Sequence, residues 1–133
     1  MTEIRQITSE TAWQTLLDDE KSVLVDVRTE SEWRNVGVPD TSSIGRPTRF
    51  VSWTDEQGVA NPYFADQVTD GIDPDTPILL LCRSGARSNA AADLLLSMGF
   101  TQPMNIAGGF ESPQHPQAGW KAQKPSTTYD PSS

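Results

Sequence analysis

"LLLCRSGARSNAAADLLLSMGF" runs from Leu79 to Phe100. An aliphatic run ends at the only cysteine in the chain, Cys82. Two arginines, two serines and a glycine follow before an Ala- and Leu-rich segment begins. The apolar run, bounded by Pro77, predicts a strand buried on both faces. "RSNAAADLLLSM" predicts a helix starting near Arg87 or Ser88, with Ala91, Leu94, Leu95 and Met98 as its apolar face and Gly99 as its C-cap. The cysteine therefore ends a strand, and the cationic loop leads into a helix.

The rest of the chain fits around this unit. "EIRQI" (Glu3 to Ile7) alternates like a short strand. Thr8 or Ser9 can cap a helix carrying Ala12, Trp13, Leu16 and Leu17. "SVLVDV" (Ser22 to Val27) is β-branched and reads as a second buried strand. Thr29 and Glu32 have capping-box spacing, which predicts a short helix bearing Trp33. Pro39, Gly45 and Pro47 break the next stretch into loop and a short edge strand. "NPYFADQV" predicts a helix capped by Asn61 with Pro62 in its first position. "PMNIAGG" reads as a last short strand. Strands alternating with helices predict an α/β fold, a mostly parallel sheet with helices on both faces. Residues 1–122 form one domain in this reading, and 123–133, polar and proline-bearing, form a disordered tail.

Composition narrows the function. A net charge of -8 argues against a nucleic-acid partner and an anionic membrane surface. A single cysteine excludes an intrachain disulfide and a cysteine-cluster metal site. No export signal and no transmembrane-length apolar run are visible, so a cytoplasmic protein with a reduced thiol is expected.

The opening stretch then acquires a chemical meaning. Sites in open α/β sheets form at the carboxyl ends of strands. The residues after Cys82 would curl over a helix N-terminus, with Gly85 permitting the curl and backbone amides turned inward. The helix end, Arg83 and Arg87 all favour a thiolate, the nucleophilic form of cysteine. The competing reading is a small buried hydrophobe, the usual role of a lone cysteine in an apolar strand. The arginines weigh against it. Arg87 at a helix N-terminus opposes the helix dipole, and a bound anion is the simplest compensation.

"CRSGARS" resembles the active-site loop of single-domain rhodaneses, sulfurtransferases that carry a persulfide on cysteine. "LVDVRTESEW" (Leu24 to Trp33) is similar to the family's Asp-Val-Arg signature with a following Glu and aromatic. "AAADLLLSMGF", "MNIAGGFE" and the Trp120 segment "AGWK" extend the resemblance to roughly residues 3–122. It implies a rhodanese-like fold and transfer of sulfane sulfur from a donor such as thiosulfate to a thiophilic acceptor through Cys82. Arg83, Ser84, Gly85, Ala86, Arg87 and Ser88 would then bind the anionic donor and the persulfide. Asp26, Arg28 and Glu32 would be structural, with Arg28 paired to a carboxylate such as Glu32; a solvated surface charge at Arg28 is the equal alternative. The chemistry needs neither cofactor nor metal. The family's Gly-His-Ile-Pro segment corresponds here to "VGVPDTSSI", with Val38 and Pro39 but no histidine. The only histidine, His115, reads as a surface residue.

Three other functions stay open. A cysteine phosphatase or arsenate reductase would also use Cys and Arg, but its loop is Cys-x5-Arg, whereas Cys82 to Arg87 is Cys-x4-Arg. A non-catalytic rhodanese module would usually lack the cysteine. A relay passing sulfur to or from a protein partner is compatible with every residue above.

Overall fold

Two aliphatic runs, Val23–Asp26 and Ile78–Leu81, form the heart of the sheet because side chains on both of their faces find cover. The computed structural model describes residues 4–39, 41, 44–111 and 127–128. In chain order these are β1 (Arg5–Ile7), α1 (Ser9–Asp18), β2 (Val23–Asp26), α2 (Glu30–Val36), β3 (Val38–Pro39), β4 (Thr48–Phe50), α3 (Phe64–Thr69), β5 (Ile78–Leu81), α4 (Ala86–Ser97), β6 (Pro103–Ile106) and β7 (Thr127–Thr128).

Five strands make an all-parallel sheet in the order β1-β6-β5-β2-β4. β5, which leads into Cys82, is the middle strand, and Ile78 to Leu81 are all fully buried. Side chains alternate across it, as a strand requires. Ile78, Leu80 and Cys82 join Val25, Phe64, Val68, Ala91, Ala92 and Leu95 on the face covered by α3 and α4. Leu79 and Leu81 join Leu24, Ala12, Leu16, Ile106 and Phe110 on the face covered by α1. The expected parallel sheet with two covered faces is the observed one.

The helix ends follow their local chemistry. Thr8 Oγ1 caps α1 by accepting from Thr11 N at 3.0 Å. Thr29 and Glu32 complete the expected capping box of α2. At the end of α4, Gly99 N donates to Leu96 O and Phe100 N to Leu95 O, the paired bonds of a Schellman turn. The cap residue itself is Met98, one before the expected Gly99. Arg46 reaches across from the loop before β4 to the open end of α1, where Nη1 donates to Leu16 O and Asp19 O.

Several expectations need correction. α3 starts at Phe64, not at Pro62. Asn61 instead closes a turn, its Oδ1 accepting from Tyr63 N and its carbonyl from Phe64 N. The inward face of α4 is Ser88, Ala91, Ala92 and Leu95, while Leu94 and Met98 are exposed. Seating Ser88 beneath the preceding loop fixes the helix rotation and turns those two outward. Leu17 is also exposed, because Ala12 and Leu16 suffice to seat α1. Within the tail expected to be disordered, Thr127–Thr128 pair antiparallel with Val38–Pro39; the rest of 123–133 lies outside the described residues, as do His115 and Trp120. No helix among the described residues is long and apolar enough to cross a membrane.

At the carboxyl end of β2 lies a buried ion pair. Asp26 and Arg28 are 0% and 1% exposed. Arg28 Nη2 donates to Asp26 Oδ2 at 2.7 Å and to the Gly37 carbonyl at 2.8 Å, and Nε donates to Asp26 Oδ1 at 3.0 Å. The guanidinium also stands over the Phe110 ring, 4.2 Å from its centroid. The carboxylate partner of Arg28 is thus Asp26, two residues away, and not Glu32; nor is Arg28 a solvated charge. Removing one member of such a pair leaves the other charge buried and uncompensated. Arg28→Met should therefore lower unfolding stability by about 3–5 kcal/mol, measured by urea denaturation. A loss below about 1 kcal/mol would mean the pair behaves like a surface one.

Candidate active site

The site grows from the turn that carries the chain from β5 into α4. Gly85 is the N-cap of α4 and has φ +102°, a left-handed conformation that side chains resist. A Cβ there would also lie 2.7 Å from the Ala107 carbonyl oxygen. Glycine lets the loop turn back tightly enough for the Gly85 amide to donate to Cys82 Sγ at 3.1 Å. Ser88, one turn into α4 and fully buried, places its hydroxyl 3.3 Å from the same sulfur. Cys82 itself is 1% exposed.

A polar network that the sequence reading did not find lies behind Ser88. Its hydroxyl is 2.5 Å from Asn105 Oδ1 and 3.3 Å from the Gly85 carbonyl. Asn105 Nδ2 donates to the Gly85 carbonyl at 3.1 Å and to Gln6 Oε1 at 2.8 Å, and Gln6 Nε2 donates to Asn89 Oδ1 at 2.7 Å. Gln6 and Asn105 pair in the sheet register, β1 beside β6. Ser88 has one proton for three acceptors. Over a thiol, Asn105 is the nearest acceptor, and the S–H can donate back to the Ser88 oxygen. Over a thiolate, the hydroxyl gains a charged acceptor, a stronger partner than the amide oxygen. An asparagine in a short apolar strand was the available signal, because a buried amide needs partners.

The loop after β6 closes the other side. Phe110 N donates to Cys82 O at 2.7 Å and Glu111 N to Arg83 O at 3.0 Å. Gly109 makes this approach possible. Its φ is +61°, and a Cβ would lie 2.2 Å from Arg83 O. Gly109, the second of the two glycines after β6, is therefore where the cysteine loop docks.

The expected binding residues divide into three groups. Gly85 and Ser88 meet at the sulfur, and of the amides from Arg83 to Ser88 it is Gly85's that bonds it. Arg83, Ser84 and Ala86 are exposed. Arg87 turns toward α2, where its Nη1 and Nη2 bind Glu32 Oε1 and Oε2 at 2.7 and 2.9 Å. Burial tends to raise the Glu32 pKa, but hydrogen bonds from Arg87 and Thr29 and the Arg87 charge outweigh it and hold it below its ordinary value. The bond to Glu32 in turn holds Arg87 more firmly protonated, against its own burial, with Glu32, Cys82 and Asp26 adding as nearby negative groups. Among the described residues, no three His, Cys, Asp or Glu side chains gather as a metal site.

Comparison with known proteins identifies the family and the fold. The family model for the rhodanese-like domain matches residues 9–115. The chain belongs to the rhodanese-like domain family. A crystal structure of Rv0390 from M. tuberculosis is 38% identical, with a TM-score of 0.86 over 97% of this chain and 100% of that one. The uncharacterized protein RC0915 of Rickettsia conorii is 35% identical over 118 residues, 89% of this chain and 92% of its own length. Thiosulfate sulfurtransferase 18 of Arabidopsis thaliana is 33% identical over 86 residues, 65% of this chain and 62% of that protein. The rhodanese-like fold thus places the lone cysteine at the carboxyl end of its central strand.

Two tests address this geometry. Gly109→Ala should cost about 2–3 kcal/mol, because neither the backbone angle nor the Arg83 carbonyl can yield; an unchanged urea midpoint would mean the loop is not docked. Glu32 has a depressed folded-state value, so its pair with Arg87 stabilises fully above the unfolded carboxylate value of about 4.3. That stability is lost as pH falls through the folded value. The stability difference between wild type and Glu32→Gln should stay flat from neutrality to about pH 5 and shrink below it. A difference that grows in acid would reverse the sign assigned to the pair.

Proposed function

We propose that this rhodanese-like domain is a sulfurtransferase that carries sulfane sulfur as a persulfide on Cys82. The observation that carries the reading is the convergence of the Gly85 amide and the Ser88 hydroxyl on a buried sulfur at the head of α4. The relatives give it support, since one of them is named a thiosulfate sulfurtransferase.

The steps follow from the groups present. The Cys82 thiolate attacks the outer sulfur of a donor such as thiosulfate. The Sγ–S bond forms, the donor's S–S bond breaks, and its electron pair leaves with sulfite. Sulfite is a good leaving group, so no general acid is required, which suits a site with no histidine among the described residues. Preset hydrogen bonds from Gly85 and Ser88 act where negative charge resides on the sulfur, the role of an oxyanion hole transferred to sulfur. Arg83, exposed on the loop, is the guanidinium that meets the donor's anionic oxygens. A thiophilic acceptor, small molecule or protein, then takes the outer sulfur and returns Cys82 to the thiolate. A reducing cytoplasm would keep Cys82 reduced between turnovers.

The phosphatase alternative is weaker on this geometry. The arginine that would clamp a phosphoryl group is bound at both Nη atoms by Glu32.

Intact-mass measurement after incubation with a sulfane donor tests the reading. Wild type should gain one sulfur, lost again on addition of cyanide or a thiol, and Cys82→Ser should gain none. A wild-type protein that takes up no sulfur from any sulfane donor would overturn it in favour of a non-catalytic module.

A further inference from the structure

The charges at the carboxyl ends of the strands pair unevenly. Arg28 is buried and committed to Asp26 and the Gly37 carbonyl. Arg87 is committed at both Nη atoms to Glu32. Glu32 cannot easily swing away, because its Oε1 also accepts from Thr29 N at 3.2 Å and Thr29 Oγ1 at 3.1 Å. Glu56 brings a further carboxylate to the first turn of α2, accepting from Ser31 N at 3.2 Å. Arg83 has no carboxylate partner among the described residues. While Cys82 attacks as a thiolate, the three guanidinium groups of Arg28, Arg83 and Arg87 therefore face Asp26, Glu32 and the sulfur, with Glu56 a fourth negative group at the first turn of α2. A loop that reads as strongly cationic in sequence is close to neutral in the fold.

A nearly neutral site in a chain of net charge -8 is poorly suited to a dianion. Thiosulfate carries two negative charges, whereas thiosulfonates and ionised persulfides carry one at the sulfur to be transferred or beside it. We propose that Glu32, acting through Arg87, is a specificity-determining residue that makes the site select singly charged sulfane donors over dianionic thiosulfate. The inference rests on the sulfur-transfer reading above and deepens it. Its chemistry balances with either donor. The thiolate and methanethiosulfonate give the Cys82 persulfide anion and methanesulfinate, the S–S electron pair leaving with the sulfinate. With thiosulfate the same pair leaves with sulfite.

The two donors differ in charge but share a sulfane sulfur, so the ratio of their kcat/KM values is the readout. Intrinsic reactivity cancels when that ratio is compared between proteins. Glu32→Gln keeps an oxygen for the Thr29 bonds and removes the negative charge that neutralises Arg87. It should shift the ratio toward thiosulfate by about tenfold. Arg87→Gln strands the Glu32 charge and should shift the ratio the other way. A purely structural role for the pair would change both donors alike and leave the ratio within about twofold in both variants, which would overturn the inference. So would shifts of the same sign in the two variants. Since each variant carries its own methanethiosulfonate rate, partial misfolding lowers both rates and leaves the ratio readable; if one variant does not fold, the other still decides. If wild type takes sulfur from neither donor, by intact mass, the sulfur-transfer reading itself fails.

Discussion

The buried pair of Asp26 and Arg28 is the constraint on which the site's architecture depends. Burying two charges is rarely a net gain over an apolar core, so its value is geometric. Arg28 leaves the end of β2, returns to Asp26, takes up the carbonyl at the end of α2 and lies against Phe110. Those contacts fix three chain segments at once. Phe110 in turn offers its amide to the Cys82 carbonyl, so the position of the cysteine is set partly by a guanidinium that never approaches the sulfur. A planar fork with several fixed donors can do this; an ammonium group cannot.

The three arginines of the region show how one residue type serves distinct ends. Arg28 works where water is absent, and every bond it makes is to the protein. Arg87 is half-buried and spans from α4 to α2, joining the two helices that frame the loop. Arg83 faces solvent and pairs with no carboxylate among the described residues. Burial and the position of the nearest carboxylate assign these roles.

Much of this was legible in the sequence. The sheet strands show as β-branched and aliphatic runs, the caps of α1 and α2 as Thr8 and as Thr29 with Glu32, and the site as a cysteine before a glycine-bearing cationic loop. What could not be read locally was pairing across distance. Arg28 and Glu32 are four residues apart and lie on one short segment, which makes them plausible partners. In the fold the strand end turns Arg28 inward to Asp26, while α2 presents Glu32 to a helix 55 residues later. The face of α4 departs from its hydrophobic spacing for a similar reason. Leu94 and Met98 have helical spacing with Ala91 and Leu95, yet the small residues Ser88 and Ala92 face inward because the loop and Asn105 hold Ser88 there. Asn105 is not legible locally because its meaning lies in Gln6 and Ser88, one at the far end of the sequence and one on another element.

The row from Ser88 through Asn105 to Gln6 has a mechanical consequence. Gln6 sits on β1, a three-residue strand at the edge of the sheet, paired on one side only. Short edge strands open at low free-energy cost, far below that of global unfolding. Each opening of β1 unties the amide that braces the Gly85 carbonyl, so the stiffness of the sulfur's cradle is limited by the most easily frayed strand in the sheet. Amide exchange at Ile7, whose backbone bonds β6, is thus a clock for the loop, although 75 positions of chain separate it from the cysteine.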